Sequence, residues 1–516
     1  MNAANKVAFN TGIQCLKILL TMFISLYSTK LVINALGVTD YGIYNLVAGV
    51  VTMFSFMNAA MSAANLRFFS HAIGENDYTK LKICFSNSLL LHFLIGIILC
   101  FGLEIVGYVL FEYVLEIPID KLSTAKIIFQ SMLIGTFISV LLVPYDAIIN
   151  AHEDMLPLTI IAFVDSMLKF TIALYISYSI TTHNKLFFYG ILIPASGIIV
   201  LLLKVAYAKY KYAKITSFSL KYDRKMMNRM LTFVSWNMFE TLGRVFSNQG
   251  IAVVLNKFFG TVTNTSFAVA SQVNGYLNLS SVTLLGAINP QIIKSEGANN
   301  RERMLFLSTL ASKISFFLLA FFAIPIIIGM PFILKLWLHT VPDNTVLFCQ
   351  LIVVASLMSQ LCIGLHTAIL AVGKIKYYQI IICILNISII PLGIIFYSLS
   401  LPIYSIFILL IGIQASVGVV RLYFAKKVAG LAVKDYVFNV VVCLFVPCVI
   451  TFIISTFISH VILFGFFQFI IILILSTIVY SVLFYSISLT KYEQNRIREM
   501  ILSIIKRIQI LLVRKK

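Results

Sequence analysis

Charged side chains are scarce in this sequence of 516 residues: only 11% are Asp, Glu, Lys or Arg, whereas 60% are hydrophobic. Soluble domains carry about 25% charged and about 45–50% apolar residues, so a soluble enzyme and a disordered chain are both excluded. The mean hydropathy of +0.99 and the many apolar runs also exclude a receptor with a single membrane anchor. The composition leaves transporters, channels, membrane-embedded enzymes and structural membrane proteins.

The sequence also lacks the short motifs of common catalytic and cofactor sites. It contains no GxxxxGK[ST] phosphate loop, no HExxH zinc motif and no DxD. The eight cysteines lie in apolar stretches without a CxxC pair, and the seven histidines are scattered, so no metal site or disulfide framework is predicted. The longest outer loops, near 112–123 and 331–345, are short for the catalytic loop of a membrane polymerase or ligase. We therefore predict a protein that is not an enzyme and has no cofactor.

Apolar runs bounded by polar clusters predict about fourteen membrane-spanning helices, since each crossing needs about 20 apolar residues. These spans are numbered 1 to 14 in chain order and cover 10–36, 42–66, 84–111, 124–150, 155–180, 187–208, 230–257, 264–289, 304–330, 346–371, 377–399, 403–424, 437–457 and 466–488. The predicted fold class is an all-α polytopic membrane protein with two six-helix lobes around a central cavity and two extra C-terminal helices. Its predicted parts are an N-lobe (1–209), a basic cytoplasmic linker (210–229), a C-lobe (230–424), spans 13 and 14 (425–488) and a basic amphipathic tail (489–516).

Basic residues outnumber acidic ones by 39 to 19, which gives a formal charge of +20. Because cytoplasmic loops of membrane proteins are rich in Lys and Arg, this excess reflects topology and not nucleic-acid binding. With both termini in the cytoplasm, 29 basic residues fall on the cytoplasmic side and 6 in the opposite loops. The tail 492–516 has an apolar helical face and basic residues elsewhere, so we expect it to lie on the inner leaflet; a partner-binding tail is the alternative.

An internal repeat indicates duplicated halves. The interval from Gly37 to Gly74 has the same length as that from Gly260 to Gly297, at an offset of 223 residues. The segment AIINAHEDM at 147–155 also matches AILAVGKIK at 368–376, at an offset of 221. Duplicated halves are typical of carriers whose binding site lies between them.

Ionisable residues within predicted spans are costly in a membrane and are therefore functional candidates. They are Lys17 in span 1, Asp165 and Lys169 in span 5, Glu240 and Arg244 in span 7, and Lys313 in span 9. The i,i+4 spacing of each acid–base pair also allows simple self-neutralisation on one helix face, and Lys313 could extend its ammonium group to the inner interface. Lys17 has no acidic residue within one turn.

Uncharged polar residues add to this set in spans 2, 7 and 8: Asn58, Asn65, Asn237, Asn248, Gln249 and Asn274. Small and polar residues also pack membrane helices against each other, so about half of them are expected to serve packing. Spans 1, 2, 7 and 8 are repeat-equivalent, and their net positive cavity would suit an anionic, hydroxyl-rich head group.

Several segments resemble bacterial polysaccharide flippases of the Wzx type. They are NALGVTDYGIYNLVAGVVTMFSFMNAAMSAANLRFFSHAIG (34–74), NAHEDM (150–155), FVSWNMFETLGRVFSNQGIAVVLNKFFG (233–260) and AVASQVNGYLNLSSVTLLGAINPQIIKSEG (268–297). The resemblance covers residues 1–330 strongly and the rest by hydropathy. It implies the multidrug/oligosaccharidyl-lipid/polysaccharide (MOP) exporter fold in the bacterial inner membrane. It also implies transport of an undecaprenyl-pyrophosphate-linked oligosaccharide for O-antigen, capsule or exopolysaccharide.

The resemblance also implies roles for the candidate residues. By analogy with related lipid II flippases, Lys17, Arg244 and Lys313 would bind the pyrophosphate, and spans 13 and 14 would border the lipid tail. Asn58, Asn65, Asn237, Asn248, Gln249 and Asn274 would meet the sugar. Asp165, Lys169 and Glu240 would form structural ion pairs or couple transport to protons. Arginine is sparse in spans 1 and 2 compared with lipid II flippases, which argues for another lipid-linked sugar.

Three alternatives stay open at the level of sequence. A cation-coupled multidrug exporter would share the fold but should have an acidic, aromatic cavity. A scaffold for polysaccharide assembly would transport nothing, and a membrane glycosyltransferase or polymerase would transfer sugar. We expect a monomer in the lipid bilayer, with a polysaccharide polymerase and other assembly proteins as potential partners.

Overall fold

The structure is a computed structural model. It describes residues 20–21, 23–25, 27–28, 31–32, 34–36, 40, 43–44, 47–48, 55–113, 119–178, 184–217, 223–337, 341–461, 465–491 and 493–495. Lys17, most of span 1, the outer part of span 2 and nearly all of the tail lie outside the described residues. Within the described ranges every regular element is a helix.

The helices are named in chain order. They are α1 (Ser55–Gly74), α2 (Tyr78–Tyr113), α3 (Ile119–Ala151), α4 (Met155–Tyr178), α5 (Lys185–Lys211), α6 (Ala213–Thr216), α7 (Arg224–Gly297), α8 (Arg301–Trp337), α9 (Thr345–Gln360), α10 (Ile363–Val372), α11 (Lys376–Ile387), α12 (Ile389–Ser398), α13 (Ser405–Phe424), α14 (Val433–Tyr436), α15 (Cys443–Val461) and α16 (Phe466–Leu483). Three π-helical turns, Ala425–Ala429, Val437–Val442 and Phe484–Ser488, extend α13, precede α15 and follow α16. Among the described residues, nine helices are long and apolar enough to cross a membrane, or ten if the bent pair α9–α10 is one span.

The predicted spans 3–6 and 9–14 coincide with helices of this structure. Spans 7 and 8 are the two arms of α7, which are separated at Gly260, where the backbone is non-helical with φ 81°. Glycine adopts a positive φ readily because it has no Cβ. We call the arms α7a (224–259) and α7b (261–297). They are too polar to count among the nine apolar spans, so the total of fourteen spans stays a prediction.

The break between α9 and α10 exposes backbone groups within the membrane-spanning region, and polar side chains pair with them. Arg421 Nη1 donates to the Ser359 carbonyl at 3.0 Å, and the Tyr436 hydroxyl donates to the Leu361 carbonyl at 2.8 Å. The Gly364 amide donates to Ser312 Oγ at 2.9 Å. Since unpaired backbone groups are costly in lipid, these contacts allow a 43° bend in an apolar span.

The repeat at an offset of 223 residues has identical local geometry in its two copies. Asn76 and Asn299 both adopt the left-handed conformation, with φ 56°. In the first copy Asp77 Oδ1 accepts from the Lys80 amide at 2.8 Å, and in the second Asn300 Oδ1 accepts from the Arg303 amide at 3.0 Å. The second member of each pair is 223 residues after the first, so the same turn and helix cap connect α1 to α2 and α7b to α8.

These two turns also pack against each other. A Cβ placed on Gly74 would overlap the Lys294 carbonyl, and one placed on Gly297 would overlap the His71 carbonyl. His71 and Lys294 are themselves 223 residues apart, so the contact has two-fold pseudosymmetry. We call the side of the molecule formed by 67–83, 204–229, 291–303, 372–376 and 421–435 the inner face, because its basic residues predict that it faces the cytoplasm. Glycine lets helices approach this closely, and here it joins the inner ends of α1 and α7b.

The first prediction concerns this contact. Gly74→Ala should lower the free energy of unfolding by about 1–3 kcal/mol, because overpacking forces the two backbones apart. Thermal unfolding in detergent measures the loss. Gly286→Ala on α7b is the matched control, since its Cβ would meet nothing within 4 Å. Equal unfolding temperatures for the two variants would contradict a tight backbone contact.

Candidate functional site

An ion pair joins the two predicted lobes at the inner face. Glu153, in the loop between α3 and α4, accepts from Lys294 Nζ at 2.5 Å and from Gln291 Nε2 at 2.9 Å, both on α7b. Only 6% of the Glu153 side chain is exposed. Removing one partner of a buried ion pair leaves an uncompensated charge, so this contact favours a closed inner face.

The loop that carries Glu153 is itself anchored. The neighbouring Asp154 accepts hydrogen bonds from Lys211 Nζ at 2.6 Å and from the hydroxyls of Tyr207 and Tyr212. Burial alone would raise the pKa of Asp154, but the hydrogen bonds from Lys211 and Tyr212 outweigh it and lower the pKa. The carboxylate therefore stays ionised at neutral pH and holds the loop against α5 and α6. This contribution to stability is lost only when the pH falls through the lowered pKa.

A second contact between the lobes lies in the segment 368–376, which the 221-residue offset relates to the segment that carries Glu153. There Arg67 of α1 donates from Nε to the Leu370 carbonyl at 2.9 Å and from Nη2 to the Val372 carbonyl at 3.5 Å. These carbonyls belong to the C-terminal turn of α10, where a cation is favourable. Gly373 follows with φ 88°, and a Cβ there would overlap the Arg67 guanidinium. Each lobe thus contributes one loop that contacts the other lobe at the inner face.

A cavity of about 600 Å³ lies in the opposite half of the molecule. Asp165 and Lys169 of α4 line it and form an ion pair of 2.7 Å. The rest of the wall comes from spans 1, 2, 5, 6 and 8: Thr21, Ile24, Ser25, Ser28, Val32, Tyr44, Ser166, Tyr189, Ile193, Tyr276 and Leu279. We call it the outer cavity. Among its described lining residues, the two charges cancel.

The predicted pair in span 7 is present on α7a. Arg244 Nε lies 3.3 Å from Glu240 Oε1, and the Arg244 side chain is 58% exposed while that of Glu240 is 9% exposed. Asn248, one turn further on, and Gln249 are also exposed. This stretch of α7a therefore presents a cation and two amides on its surface, with the carboxylate beneath them.

The other predicted sugar contacts are engaged with protein groups in this structure. Asn65 bonds to Ser88 Oγ and His92 Nε2, and Asn58 donates to Ser139 Oγ at 3.1 Å. Asn237 donates to the Ala60 carbonyl at 3.2 Å and accepts from Gln379 Nε2 at 2.8 Å. Asn274 Oδ1 accepts from Asn278 and Ser356. These four asparagines join helices in the present state, and their role towards a sugar stays a prediction.

Lys313 lies in the core of α8, with 2% of its side chain exposed, and pairs with Glu493 at 2.9 Å. It does not extend to the inner interface. Glu493 Oε2 also accepts from the Thr490 amide at 2.8 Å, and Thr490 Oγ1 accepts from the Glu493 amide at 3.3 Å, which is a capping box at the start of the tail. The predicted pyrophosphate contact of Lys313 would therefore require displacement of this carboxylate.

The sequence alone did not single out Glu153, Lys294 or Arg421 as site residues. Glu153 and Lys294 belong to two of the segments already quoted, NAHEDM and IIKSEG, but they are 141 residues apart in the sequence, so the sequence alone does not indicate their pairing. Arg421 was counted among cytoplasmic cations, yet only 7% of it is exposed. The signal in the sequence that could have indicated its burial is the position of Arg421 at the end of an apolar span.

Comparison with known proteins agrees with this architecture. The pattern of the MatE family matches residues 14–175. A solved structure described as the outward-facing conformation of a multidrug resistance MATE family transporter of the MOP superfamily aligns with a TM-score of 0.73 and 13% identity, covering 84% of this chain and 97% of that one. A MOP superfamily transporter from Pyrococcus furiosus, described as having a binding pocket of reverse polarity, aligns with a TM-score of 0.70, 13% identity and the same coverage.

A curated relative adds a match in sequence. The Bacillus subtilis (strain 168) protein described as uncharacterized membrane protein EpsK is 29% identical over 137 residues, which is 26% of each chain. The match therefore spans about a quarter of that relative's length. Together with the structural similarity, these findings define a multi-pass membrane protein with the MATE fold, which is the fold of MOP-superfamily transporters.

The second prediction tests the ion pair at the inner face. In a variant without native cysteines, a Ser295→Cys probe, buried beside Lys294, should react slowly with a maleimide. Glu153→Gln should increase this rate several-fold, because the loss of the ion pair favours separation of the inner ends. Glu112→Gln is the matched control, since Glu112 pairs with Lys126 at 2.9 Å within one lobe, away from the inner face. Equal rates in both variants would show that the Glu153 pair does not hold the face closed.

The third prediction concerns Lys313. Lys313→Met should destabilise the protein by about 3–5 kcal/mol, because Glu493 is left buried without its cation. Adding Glu493→Gln should recover much of the loss, as measured by thermal unfolding in detergent. Lys335→Met on the exposed surface of α8 is the control. A Lys313→Met protein as stable as the Lys335→Met protein would contradict a structural role for the pair.

Proposed function

We propose that this protein is a flippase that moves undecaprenyl-pyrophosphate-linked oligosaccharide units from the cytoplasmic to the outer leaflet of a bacterial inner membrane. The MATE fold supports a transporter that works by alternating access. The Wzx-like segments at 34–74, 150–155, 233–260 and 268–297 support a lipid-linked sugar as the substrate. The product would serve O-antigen, capsule or exopolysaccharide synthesis.

The observation that carries this proposal is the placement of charge. The exposed group of the Glu240–Arg244 pair is the guanidinium, whereas the carboxylate is buried. In the outer cavity the carboxylate of Asp165 already has Lys169 as its partner. Arginine is well suited to bidentate contacts with phosphate. These groups favour an anionic substrate over a cationic one.

Within this proposal the candidate residues have different roles in binding the substrate. Arg244 binds the pyrophosphate, together with Lys17, which lies outside the described residues. Asn248 and Gln249, exposed beside Arg244, contact the sugar. Asn58, Asn65, Asn237 and Asn274 would do so only after a change of state that frees their amides. Lys313 would need to leave Glu493, and spans 13 and 14 border the lipid tail.

The membrane potential can drive such transport without ATP. A pyrophosphate with about two negative charges gains about 4–5 kcal/mol on moving outward across 100 mV, inside negative. Consumption of the sugar unit on the outer side, for example by a polymerase, would add to the flux. The alternative driving force is a proton gradient coupled through Asp165 or Glu240. If the transport rate in vesicles does not change when a pH gradient is imposed, proton coupling is excluded.

Two rival functions make different demands on the residues of this chain. A cation-coupled multidrug exporter should have an unpaired carboxylate in its cavity, whereas Asp165 is paired. A scaffold for assembly enzymes would need neither Arg244 nor an opening inner face. The description of EpsK as an uncharacterized membrane protein favours none of the three.

The fourth prediction tests the proposed function in a strain that lacks the protein. We expect a sugar-pyrophosphate-lipid to accumulate on the cytoplasmic face, as judged with a membrane-impermeant probe, and surface polysaccharide to be lost. Arg244→Ala should restore less than about a tenth of the wild-type polysaccharide, because charged hydrogen bonds are worth about 1.5–3 kcal/mol. Arg244→Lys should restore part of it. Arg224→Ala, an exposed arginine at the start of α7, is the control.

Other results would favour the rivals. An unchanged lipid pool together with increased sensitivity to cationic drugs would indicate a multidrug exporter. Full complementation by Arg244→Ala, with loss of polysaccharide only in the complete absence of the protein, would indicate a scaffold. Equal amounts of each variant in the membrane are required for either conclusion.

A further inference from the structure

A large cavity opens at the inner face, away from the outer cavity. Its volume is about 920 Å³. Five segments form its wall: the inner end of α1, the start of α2, the first turns of α7a, the connection from α10 to α11, and the end of α13 with the following π-helical turn. We call it the basic pocket. It lies at the seam between the two predicted lobes.

The pocket is strongly cationic. Six of its described lining residues are Lys or Arg, and none of the described lining residues is acidic. Lys80 pairs with Glu75, and Arg67 donates to the carbonyls of α10. The other four are Arg229, Lys374, Lys376 and Lys427; they are exposed and form no ion pair with any described carboxylate. Such a concentration of like charge is unfavourable unless an anion lies nearby.

Aromatic rings line the pocket and continue to an exposed ring beside it. Arg67 lies over the rings of Phe68 and Phe233, at 4.8 and 5.0 Å. Lys376 Nζ lies 5.2 Å from the Trp236 ring, which stacks on Phe239 at 5.5 Å. Phe239 is 44% exposed. The pocket therefore combines cations for a polar head with an adjoining exposed apolar surface.

We propose that the basic pocket binds the phosphate or pyrophosphate head of a membrane lipid in the inner leaflet. Lysine and arginine clusters at the cytoplasmic ends of membrane helices attract such anionic heads, and arginine pairs with phosphate through two parallel hydrogen bonds. The apolar surface of Trp236 and Phe239 would accommodate the start of the lipid chain. The proposal does not depend on flipping, since a resident phospholipid and a polyprenyl pyrophosphate share this chemistry.

Binding at this seam has a consequence for the conformational equilibrium. The wall residues on α1 and α2 belong to the N-lobe, whereas the other wall residues belong to the linker, the C-lobe or the turn after it. A head group that contacts both sets favours the state in which they are close together, because a ligand stabilises the conformation that it binds more tightly. That state is the closed inner face described above.

Tryptophan fluorescence tests the proposal directly. The sequence has two tryptophans, so Trp337→Phe leaves Trp236 in the pocket as the sole reporter. The purified protein is titrated with geranylgeranyl pyrophosphate and with inorganic pyrophosphate, and is compared in nanodiscs of phosphatidylcholine with and without phosphatidylglycerol. We expect a saturable change with an anionic lipid and a weaker effect of inorganic pyrophosphate, which lacks the chain.

A pair of matched triple variants identifies the site. Arg229→Ala/Lys374→Ala/Lys427→Ala should weaken binding about tenfold or more, since three charged contacts are lost. Arg224→Ala/Lys209→Ala/Lys214→Ala removes the same charges from exposed inner-face positions outside the pocket and should keep wild-type affinity. Response to geranylgeranyl pyrophosphate alone would identify a polyprenyl pyrophosphate as the ligand, and response to phosphatidylglycerol a resident phospholipid.

Three results would overturn the proposal. The first is no saturable change of Trp236 fluorescence with either anionic lipid. The second is equal loss of affinity in the two triple variants, which would indicate unspecific attraction by the inner face. The third is an affinity for inorganic pyrophosphate equal to that for the lipids, because the apolar surface would then contribute nothing to binding. None of these results bears on transport, so the flippase proposal is tested separately.

Discussion

The closed inner face depends on a contact between two backbones. The inner ends of α1 and α7b touch at Gly74 and Gly297, where any larger residue would overlap a carbonyl of the opposite helix. Because the contact is reciprocal, it is present only when both halves of the repeat adopt the same turn. The same geometry brings the loops after α3 and α10 within reach of the opposite lobe.

Two different chemistries reinforce this symmetric contact. On one side Glu153 pairs with Lys294 and Gln291, and on the other Arg67 donates to the carbonyls of Leu370 and Val372. Both depend on charge, so both can be broken by solvation when the helices separate. A backbone contact stabilised by these charged hydrogen bonds suits a face that must be stable when closed and must also be able to open. The outer cavity lies on the opposite side of the molecule.

Hydropathy and charge counts predicted most of the helices, and the repeat offset located the pair of turns that meet at the inner face. The hydrogen-bond and ion-pair partners of the polar residues could not be predicted in this way, because they come from distant parts of the chain. From the sequence, Lys313 could extend to the inner interface, whereas in the structure it is buried and pairs with Glu493, 180 residues away. Asn237 was predicted from its polarity in span 7, whereas its environment is set by Ala60 and Gln379 on two other helices. Arg244 and Asn248 are exposed, and the carboxylate that pairs with Arg244 is Glu240 of its own helix, at the i,i+4 spacing visible in the sequence.

Cross-linking at the inner face tests most directly whether transport requires this contact to open. In a variant without native cysteines, Glu153→Cys and Lys294→Cys would be joined by a short, reducible bis-maleimide, and the leaflet distribution of the sugar-pyrophosphate-lipid measured in cells. The account predicts retention of the lipid on the cytoplasmic face while the cross-link is present and recovery of transport after reduction. Undiminished transport through a fully cross-linked protein would contradict alternating access at this face.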